Sequence, residues 1–272
     1  MLMTEHAPIA GLTGWTSTPF TAADITHDVF ERGEGPGVVL LPEIPGMTPE
    51  VMGFATHLVE AGFHVAIPSL FGTPGRPAST GYLVSAVAKM CVSTEFRAFA
   101  VGAHRPVADF VRALAANLDA RTPGPGVGVI GMCFTGGFAL AAATSTSVLA
   151  AVMSQPAAPF PVSRARRIDP TMSPDELARV AERAAAGSVC ALGLRFSEDG
   201  TVPRERFATI EAALGDAFDV IELDSSPGNP GGFSRGAHSV LTGEVREVPG
   251  HPAAAARERT VEFLRTRLTP AA

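Results

Sequence analysis

Apolar runs alternate with amphipathic segments along most of the chain, at lengths typical of strands and helices. Short runs rich in β-branched residues and bounded by Gly or Pro predict strands over 24–32, 38–42, 63–68, 127–130, 148–153, 189–196 and 218–223. Apolar residues recurring every three or four positions predict helices over 48–62, 106–118, 138–143, 173–186, 204–214 and 253–268. A further helical region begins at Tyr82 and breaks near Gly102. This alternation predicts an α/β fold, a mostly parallel central sheet with helices on both faces.

Two segments carry no regular pattern. The first two dozen residues have no clear period, and we expect them to lie across the surface. Residues 155–170 are rich in Pro and Arg, which predicts a loop. No internal repeat divides the chain, and α/β domains of 272 residues are commonly single. We therefore expect one domain spanning residues 1–272.

The segment from Gly126 to Gly137 joins a predicted buried strand to a predicted helix. Its sequence, Gly-Val-Gly-Val-Ile-Gly-Met-Cys-Phe-Thr-Gly-Gly, holds the frame of a nucleophile elbow with Cys133 at the nucleophile position. The chain turns so sharply in such an elbow that small residues flank the nucleophile, whose side chain stands exposed at the start of the helix. Unpaired N–H groups there favour negative charge on a thiolate or a developing oxyanion. Cys133 is therefore the candidate nucleophile.

The same glycines also match the spacing of a dinucleotide-binding fingerprint, at Gly126, Gly128 and Gly131. That fingerprint follows a strand and opens a helix, with an acidic residue about 20 positions further on. Here the glycines lie within the predicted strand, and none of residues 120–168 is Asp or Glu. This context disfavours a dinucleotide site.

Composition narrows the class of protein. The cysteines at 91, 133 and 190 are widely spaced and form no Cys-x-x-Cys or Cys/His cluster, which argues against disulfides and a zinc site, and no cofactor is expected. A net charge of −6 does not favour a nucleic-acid partner. The chain has no run of about 18 apolar residues and no signal-peptide pattern, so we expect a cytoplasmic protein without a membrane partner. The sequence leaves the oligomeric state open.

A nucleophilic cysteine needs a base to take its proton and an acid to orient that base. In α/β-hydrolases the acid and then the histidine follow the nucleophile, each in a loop after a strand. Asp199 follows the strand predicted to end at 196, and His238 lies beyond the strand predicted to end at 223. We therefore predict that Cys133, His238 and Asp199 form a triad at the carboxyl ends of parallel strands. His251 and Asp224 remain the alternatives for the base and the acid.

In these motifs the chain resembles the dienelactone hydrolase family. The matching pieces extend from about residue 25 to the C-terminus, and their order and spacing matter more than any one of them. They are Leu41-Pro-Glu-Ile-Pro-Gly, Leu58-Val-Glu-Ala-Gly-Phe, Gly131-Met-Cys-Phe-Thr-Gly-Gly, Asp199-Gly-Thr-Val-Pro, Gly236-Ala-His-Ser and Arg257-Glu-Arg-Thr-Val-Glu-Phe-Leu. The resemblance implies an α/β-hydrolase fold and a Cys-His-Asp triad that acts on a small-molecule ester or lactone.

The resemblance also implies roles for residues around the triad. It places Glu43 beside the thiol and forms the oxyanion hole from the backbone N–H groups of Phe134 and Ile44. Two positions depart from the family's pattern. Thr135 stands where the family usually has Gly, which bears on the shape of the elbow. Thr242 stands where dienelactone-cleaving members carry an arginine that binds the substrate carboxylate, which bears on the identity of the substrate.

Glu43 suggests how the thiol is protected when no substrate is present. A carboxylate close to Cys133 disfavours the thiolate because like charges repel, so the resting thiol would stay protonated and resist oxidation. We hypothesise that substrate displaces Glu43 or redirects it towards an arginine. Arg76, Arg97 and Arg105 are the candidates.

Two classes of function follow. The leading one is a metal-independent hydrolase that cleaves a carboxylic ester or lactone through a thioacyl-enzyme intermediate on Cys133. The alternative is a hydrolase-like fold that binds ligands or senses thiol chemistry without turnover. Hydrolysis of a generic aryl ester that depends on Cys133 would distinguish them.

Overall fold

The computed structural model describes residues 6–97 and 100–269, and only the backbone of residues 91 and 92. Its strands are β1 (Thr16–Ala22), β2 (Ile25–Arg32), β3 (Gly37–Leu41), β4 (His64–Pro68), β5 (Val127–Met132), β6 (Val148–Ser154), β7 (Cys190–Phe196) and β8 (Phe218–Leu223). They form one sheet in the order β1-β2-β4-β3-β5-β6-β7-β8. β2 pairs antiparallel with β1 and β4, and all other neighbours are parallel.

The helices are α1 (Pro49–Glu60), α2 (Thr80–Val92), α3 (Pro106–Asp119), α4 (Gly136–Ala142), α5 (Arg164–Ile168), α6 (Pro174–Ala185), α7 (Arg204–Leu214) and α8 (Pro252–Leu268). α3, α4, α6 and α7 contribute to the hydrophobic core on one face of the sheet. α1 and α8 contribute to the core on the other face. The sheet is thus covered on both faces, which confirms the predicted α/β fold.

The central strands are apolar because both of their faces are covered. Every residue of β3 and β5 is buried. Successive side chains of a strand point to opposite faces, so Val39 and Leu41 enter one core while Val38 and Leu40 enter the other. This pattern fixes the register of the strands whose carboxyl ends carry the site.

Three elements differ from the sequence prediction. The helical region predicted to begin at Tyr82 and to break near Gly102 already ends at Val92. β1 is an edge strand within the segment expected to lie across the surface, and most of its side chains are exposed. It has a single neighbour and little buried surface, so its sequence carries no hydrophobic period. α5 interrupts the predicted loop 155–170, where Ser163 caps the helix by accepting a hydrogen bond from the N–H of Arg166 (3.4 Å). Within residues 6–97 and 100–269, no helix combines the length and apolarity needed to cross a membrane.

Candidate active site

The three predicted triad residues lie beyond the carboxyl ends of the parallel strands. Cys133 directly follows β5, Asp199 follows β7, and His238 lies in the long connection between β8 and α8. Because β5, β6, β7 and β8 are parallel, their carboxyl ends meet at the same edge. That edge is where open α/β sheets bind ligands.

The backbone at Cys133 has the sharp turn of an elbow. Its φ of 55° lies in the left-handed region, which residues other than Gly rarely adopt. The chain passes from β5 through a single 3-10 turn, Cys133–Thr135, into α4. A Cβ atom at Gly131 would lie 2.3 Å from the carbonyl oxygen of Thr135, so this position requires Gly. The strand-turn-helix context expected for the elbow is present.

Thr135 is accommodated beneath the elbow. Its side chain is fully buried, and its Oγ1 accepts a hydrogen bond from the N–H of Met132 (2.9 Å). The same hydroxyl can donate to the carbonyl oxygen of Leu41 at 3.1 Å, which links β5 to β3. The side chain of Thr135 therefore supports the turn through these hydrogen bonds. The backbone has the elbow turn with Thr at the position where the family usually has Gly.

His238 and Asp199 form a close pair. The Nδ1 atom of His238 lies 2.6 Å from Oδ2 of the buried Asp199. The other carboxylate oxygen accepts hydrogen bonds from the N–H (2.9 Å) and hydroxyl (2.7 Å) of Thr201. Burial opposes ionisation of Asp199, but the hydrogen bonds from His238 and Thr201 hold its pKa below its ordinary value. A charged Asp199 makes Nδ1 the donor nitrogen and so fixes the orientation of the ring.

The sulfur of Cys133 lies close enough to His238 to affect the pKa of its imidazole. Burial lowers the pKa of His238, but the negative charge of the Cys133 thiolate and the contacts with Asp199 raise it to about 11. The imidazolium is therefore stabilised whenever the sulfur is ionised. This arrangement allows a proton to move from the sulfur to His238 and back.

The alternative base and acid lie elsewhere. The ring of His251 packs edge-on against Phe233 with 5.2 Å between centroids, and burial lowers its pKa. Asp224 is exposed and accepts a hydrogen bond from the N–H of Ser226 (2.8 Å). No hydrogen bond between described residues joins either side chain to His238.

Cys190 lies away from the elbow. Cys190 is half-buried and begins β7, so it lies at the amino ends of the parallel strands, whereas Cys133 follows the carboxyl end of β5. The side chain of Cys91 lies outside the described residues.

Glu43 is a buried carboxylate in a cluster of neutral donors. It accepts hydrogen bonds from Ser239 Oγ (2.8 Å), Thr242 Oγ1 and Gln155 Nε2 (3.1 Å). Gln155 in turn accepts from the N–H of Val240 (3.3 Å), two residues after His238. These contacts connect the end of β3, the end of β6 and the loop that carries His238.

The three arginines considered as partners of Glu43 are engaged elsewhere. Arg76 stacks over the ring of Tyr82, 4.3 Å from its centroid. Arg97 and Arg105 donate to backbone carbonyl oxygens within residues 100–104. Hydroxyl and amide donors satisfy the Glu43 carboxylate in this structure, and its redirection towards an arginine when substrate binds stays a prediction.

The backbone N–H groups of Phe134 and Ile44 lie just beyond the carboxyl ends of two neighbouring strands. Phe134 follows Cys133 in the chain, and Ile44 follows Glu43 just beyond β3, which is the sheet neighbour of β5. No hydrogen bond joins either N–H to another residue in the described part of the chain. The carbonyl oxygen of Cys133 accepts from the N–H of Ala157 (3.0 Å), so the loop after β6 supports the elbow.

Sequence reasoning missed Gln155 and Thr201. Both lie where the position of the site could have drawn attention to them, because Gln155 directly follows β6 and Thr201 stands two residues after Asp199. An Asp whose carboxylate accepts from the backbone two residues on is a common turn. Within residues 6–97 and 100–269, no group of three or more His, Cys, Asp and Glu side chains could hold a metal ion.

An eight-stranded, mostly parallel sheet with a nucleophile elbow after its central strand defines an α/β-hydrolase. The sequence model of the dienelactone hydrolase family matches residues 26–268, and the chain belongs to that family. It is accordingly a hydrolase that acts on carboxylic esters or lactones.

Individual relatives agree with this assignment. A carboxymethylenebutenolidase of Rhodococcus opacus is 27% identical over 249 residues, which are 89% of this chain and 86% of the relative. The dienelactone hydrolase of Anabaena variabilis is similar in structure, with a TM-score of 0.59, 15% identity, and coverage of 93% of this chain and 98% of the other. A dienelactone hydrolase-like promiscuous phosphotriesterase from metagenomic libraries gives a TM-score of 0.62 at 17% identity, covering 93% and 98%. At these identities the solved structures support the fold alone.

Proposed function

We propose that the chain hydrolyses its ester or lactone through Cys133 as nucleophile, His238 as base and Asp199 as the orienting acid. One observation carries the proposal: Asp199, a buried carboxylate, holds His238 at 2.6 Å, and the sulfur of Cys133 lies close enough to raise the pKa of the same imidazole. A nucleophile, a base and an orienting group in this sequence of contacts are what covalent acyl transfer requires.

The reaction begins when His238 takes the thiol proton and the sulfur attacks the carbonyl carbon of the substrate. A C–S bond forms, and an electron pair moves onto the carbonyl oxygen. The C–O bond to the leaving group then breaks, and His238 returns its proton to the departing oxygen. Water next gives a proton to His238 while its oxygen attacks the thioester carbon. The C–S bond then breaks, His238 returns the proton to the Cys133 sulfur, and the acid is released.

We propose that the N–H groups of Phe134 and Ile44 hold the oxyanion of the tetrahedral intermediate. Backbone donors aimed at developing charge are worth the most when they need no rearrangement. Support comes from their places just beyond the neighbouring strands β5 and β3, and from the absence of competing hydrogen bonds to other described residues.

Glu43 is proposed to keep the resting thiol protonated by like-charge repulsion. Its burial and its three side-chain donors support a fixed carboxylate. Release of Glu43 would then require substrate to disturb Ser239, Thr242 or Gln155 rather than to supply an arginine partner.

Membership of a hydrolase family weighs against the alternative of a binding or thiol-sensing protein without turnover. The cytoplasmic location and the absence of a nucleic-acid partner stay predictions.

The test is hydrolysis of p-nitrophenyl acetate by purified variants. Cys133→Ala and His238→Ala should each lose about 10³-fold or more in kcat, and the double variant should lose little more, since triad members act as a unit. Cys190→Ala and His251→Ala are the matched controls and should keep activity near that of the unmodified protein. Full activity in Cys133→Ala, or a larger loss in His251→Ala than in His238→Ala, would contradict the assignment.

A further inference from the structure

An open cleft of about 570 Å³ lies beside the proposed reaction centre. This volume falls within the range of small-molecule sites. Ile44 and Ser239 line its inner wall, next to the proposed oxyanion donor and directly after His238. Its outer wall includes Ala7 and Ile9, from a segment that precedes the region matched by the family. A segment outside the region matched by the family therefore forms part of the wall of the cleft.

The added wall is held against α1. The N–H of Ala10 donates to the carbonyl oxygen of Pro49 (2.9 Å). At Gly53 a Cβ atom would lie 2.2 Å from the carbonyl oxygen of Pro8, so this helical glycine makes room for the segment. Leu12 packs against the core on the same face of the sheet. The segment is thus docked and has a defined position beside the cleft.

The lining of the cleft favours an uncharged, apolar group. Ile9 is 69% exposed at its rim, and Ala7 and Pro45 add apolar surface. Two carboxylates, from Glu43 and Glu50, stand against the guanidinium of Arg246 and the imidazole of His6, so the lining has no excess of positive charge to hold an anionic group. A hydrocarbon placed across Ile9 would remove this exposed side chain from water.

We propose that the segment 6–12 is a specificity wall for the apolar part of the ester. The proposal rests on the function proposed above and adds a substrate class to it: uncharged esters with an extended alkyl or aryl group that lies against Ile9. The group can belong to the acyl or to the alcohol part of the ester, because both are hydrocarbon and both are attached to the same ester group. The acyl part carries the carbonyl carbon, and the alcohol part leaves from it.

The experiment measures selectivity as a ratio of kcat/KM values. One arm compares p-nitrophenyl octanoate with p-nitrophenyl acetate, and the other compares octyl acetate with ethyl acetate. Ile9→Ser removes apolar surface from the wall, and Gly53→Ala forces the segment away from α1. We expect each variant to lose about tenfold in the long-to-short ratio of at least one arm, with the short esters unaffected, as contacts in an apolar pocket typically contribute.

Two controls separate this effect from general damage. Val220→Ser changes another exposed aliphatic residue, on the edge strand β8, and Gly81→Ala changes a helical glycine with nothing within 4 Å of its missing Cβ. Both should keep the selectivity ratios. Thermal unfolding shows whether Gly53→Ala still folds, and Ile9→Ser tests the proposal without that variant because its side chain is exposed.

Unchanged ratios in both arms for Ile9→Ser would overturn the specificity wall. That result leaves the proposed function standing if hydrolysis of the short esters still depends on Cys133. Hydrolysis that persists in Cys133→Ala would instead overturn the proposed function.

Discussion

The buried carboxylate of Glu43 is bound by neutral donors. Its oxygens are bound by two hydroxyl groups and one amide, from Ser239, Thr242 and Gln155. Neutral donors stabilise a carboxylate without cancelling its charge, so the proposed repulsion of the Cys133 thiolate would come from Glu43 itself. Thr242 thus donates a hydrogen bond to Glu43. It supplies no positive charge for a substrate carboxylate at the position where dienelactone-cleaving members carry an arginine.

Removal of the negative charge of Glu43 should allow the Cys133 thiol to ionise more easily. Glu43→Gln is predicted to raise the rate of Cys133 alkylation by iodoacetamide at neutral pH several-fold, because like-charge repulsion of the thiolate disappears. Oxidation by peroxide should accelerate in parallel, since it follows thiolate character. Alkylation rates measured from pH 5 to 9 give the profile. Glu50→Gln, a change in the same cleft, is the control, and an identical profile for Glu43→Gln would reduce Glu43 to a structural carboxylate.

Single residues were predictable where chain order constrains them. Cys133, Asp199 and His238 could be selected because an elbow frame and two loops after strands occur in the order that α/β-hydrolases use. Gln155 and Thr201 could not, because an amide or a hydroxyl acquires its role only from what the fold brings near it. The choice among Arg76, Arg97 and Arg105 stays a prediction, because the role proposed for one of them begins only when substrate binds.

At the scale of elements, burial decides what the sequence reveals. β3 and β5 are covered on both faces, so their apolar runs were evident. β1 tolerates polar residues because it is an edge strand and most of its side chains are exposed. α5 was hidden among Pro and Arg residues, and a tertiary contact fixes it: the carbonyl oxygen of Arg166 accepts from the buried guanidinium of Arg206 at 2.9 Å.

Arg206 organises the loop after β6. Its side chain is fully buried and also donates to the carbonyl oxygens of Pro156, Pro159 (2.7 Å) and Asp169 (2.7 Å). Burial lowers its pKa to about 10, which still leaves it charged at neutral pH. The same loop donates from Ala157 to the carbonyl oxygen of Cys133. A guanidinium on α7 therefore supports the position of the nucleophile.

Loss of this support should reduce turnover beyond its effect on stability. Arg206→Met is predicted to lower kcat by about 10- to 100-fold, since small misplacements of reacting groups are costly. Arg183→Met is the matched control, because Arg183 also donates to several backbone carbonyls but at the amino end of β6. Both variants should lose stability, and kcat is compared at a temperature where circular dichroism shows each fully folded. Equal kcat in the two folded variants would exclude the support role.

At the scale of the whole molecule, charge pairs between helices link stability to pH. Glu176 at the start of α6 is buried and accepts from His104 Nδ1 (2.8 Å) and Arg112 Nη1 (3.3 Å), which belong to α3 and the turn before it. It also accepts from the N–H of Ser173 (2.9 Å) as part of a capping box. The contacts join two helices on one face of the sheet. The expectation that residues 1–272 form one domain stays a prediction.

The pKa of Glu176 lies below its ordinary value of 4.5, because hydrogen bonds from Ser173 and His104 outweigh the opposing effect of burial. The unfolded chain therefore binds a proton at this site more readily than the folded chain does. The stabilisation is complete above pH 4.5 and is lost as the pH falls through the folded-state pKa. Glu176→Gln should lower the free energy of unfolding at pH 7 by about 1–3 kcal/mol, the range for hydrogen bonds to charged groups. Urea unfolding from pH 7 to pH 3 should show this difference shrinking below pH 4.5, whereas the exposed neighbour Asp175→Asn should change stability little at any pH. A difference that stays constant down to pH 3 would mean that the ionised form of Glu176 contributes nothing specific to the fold.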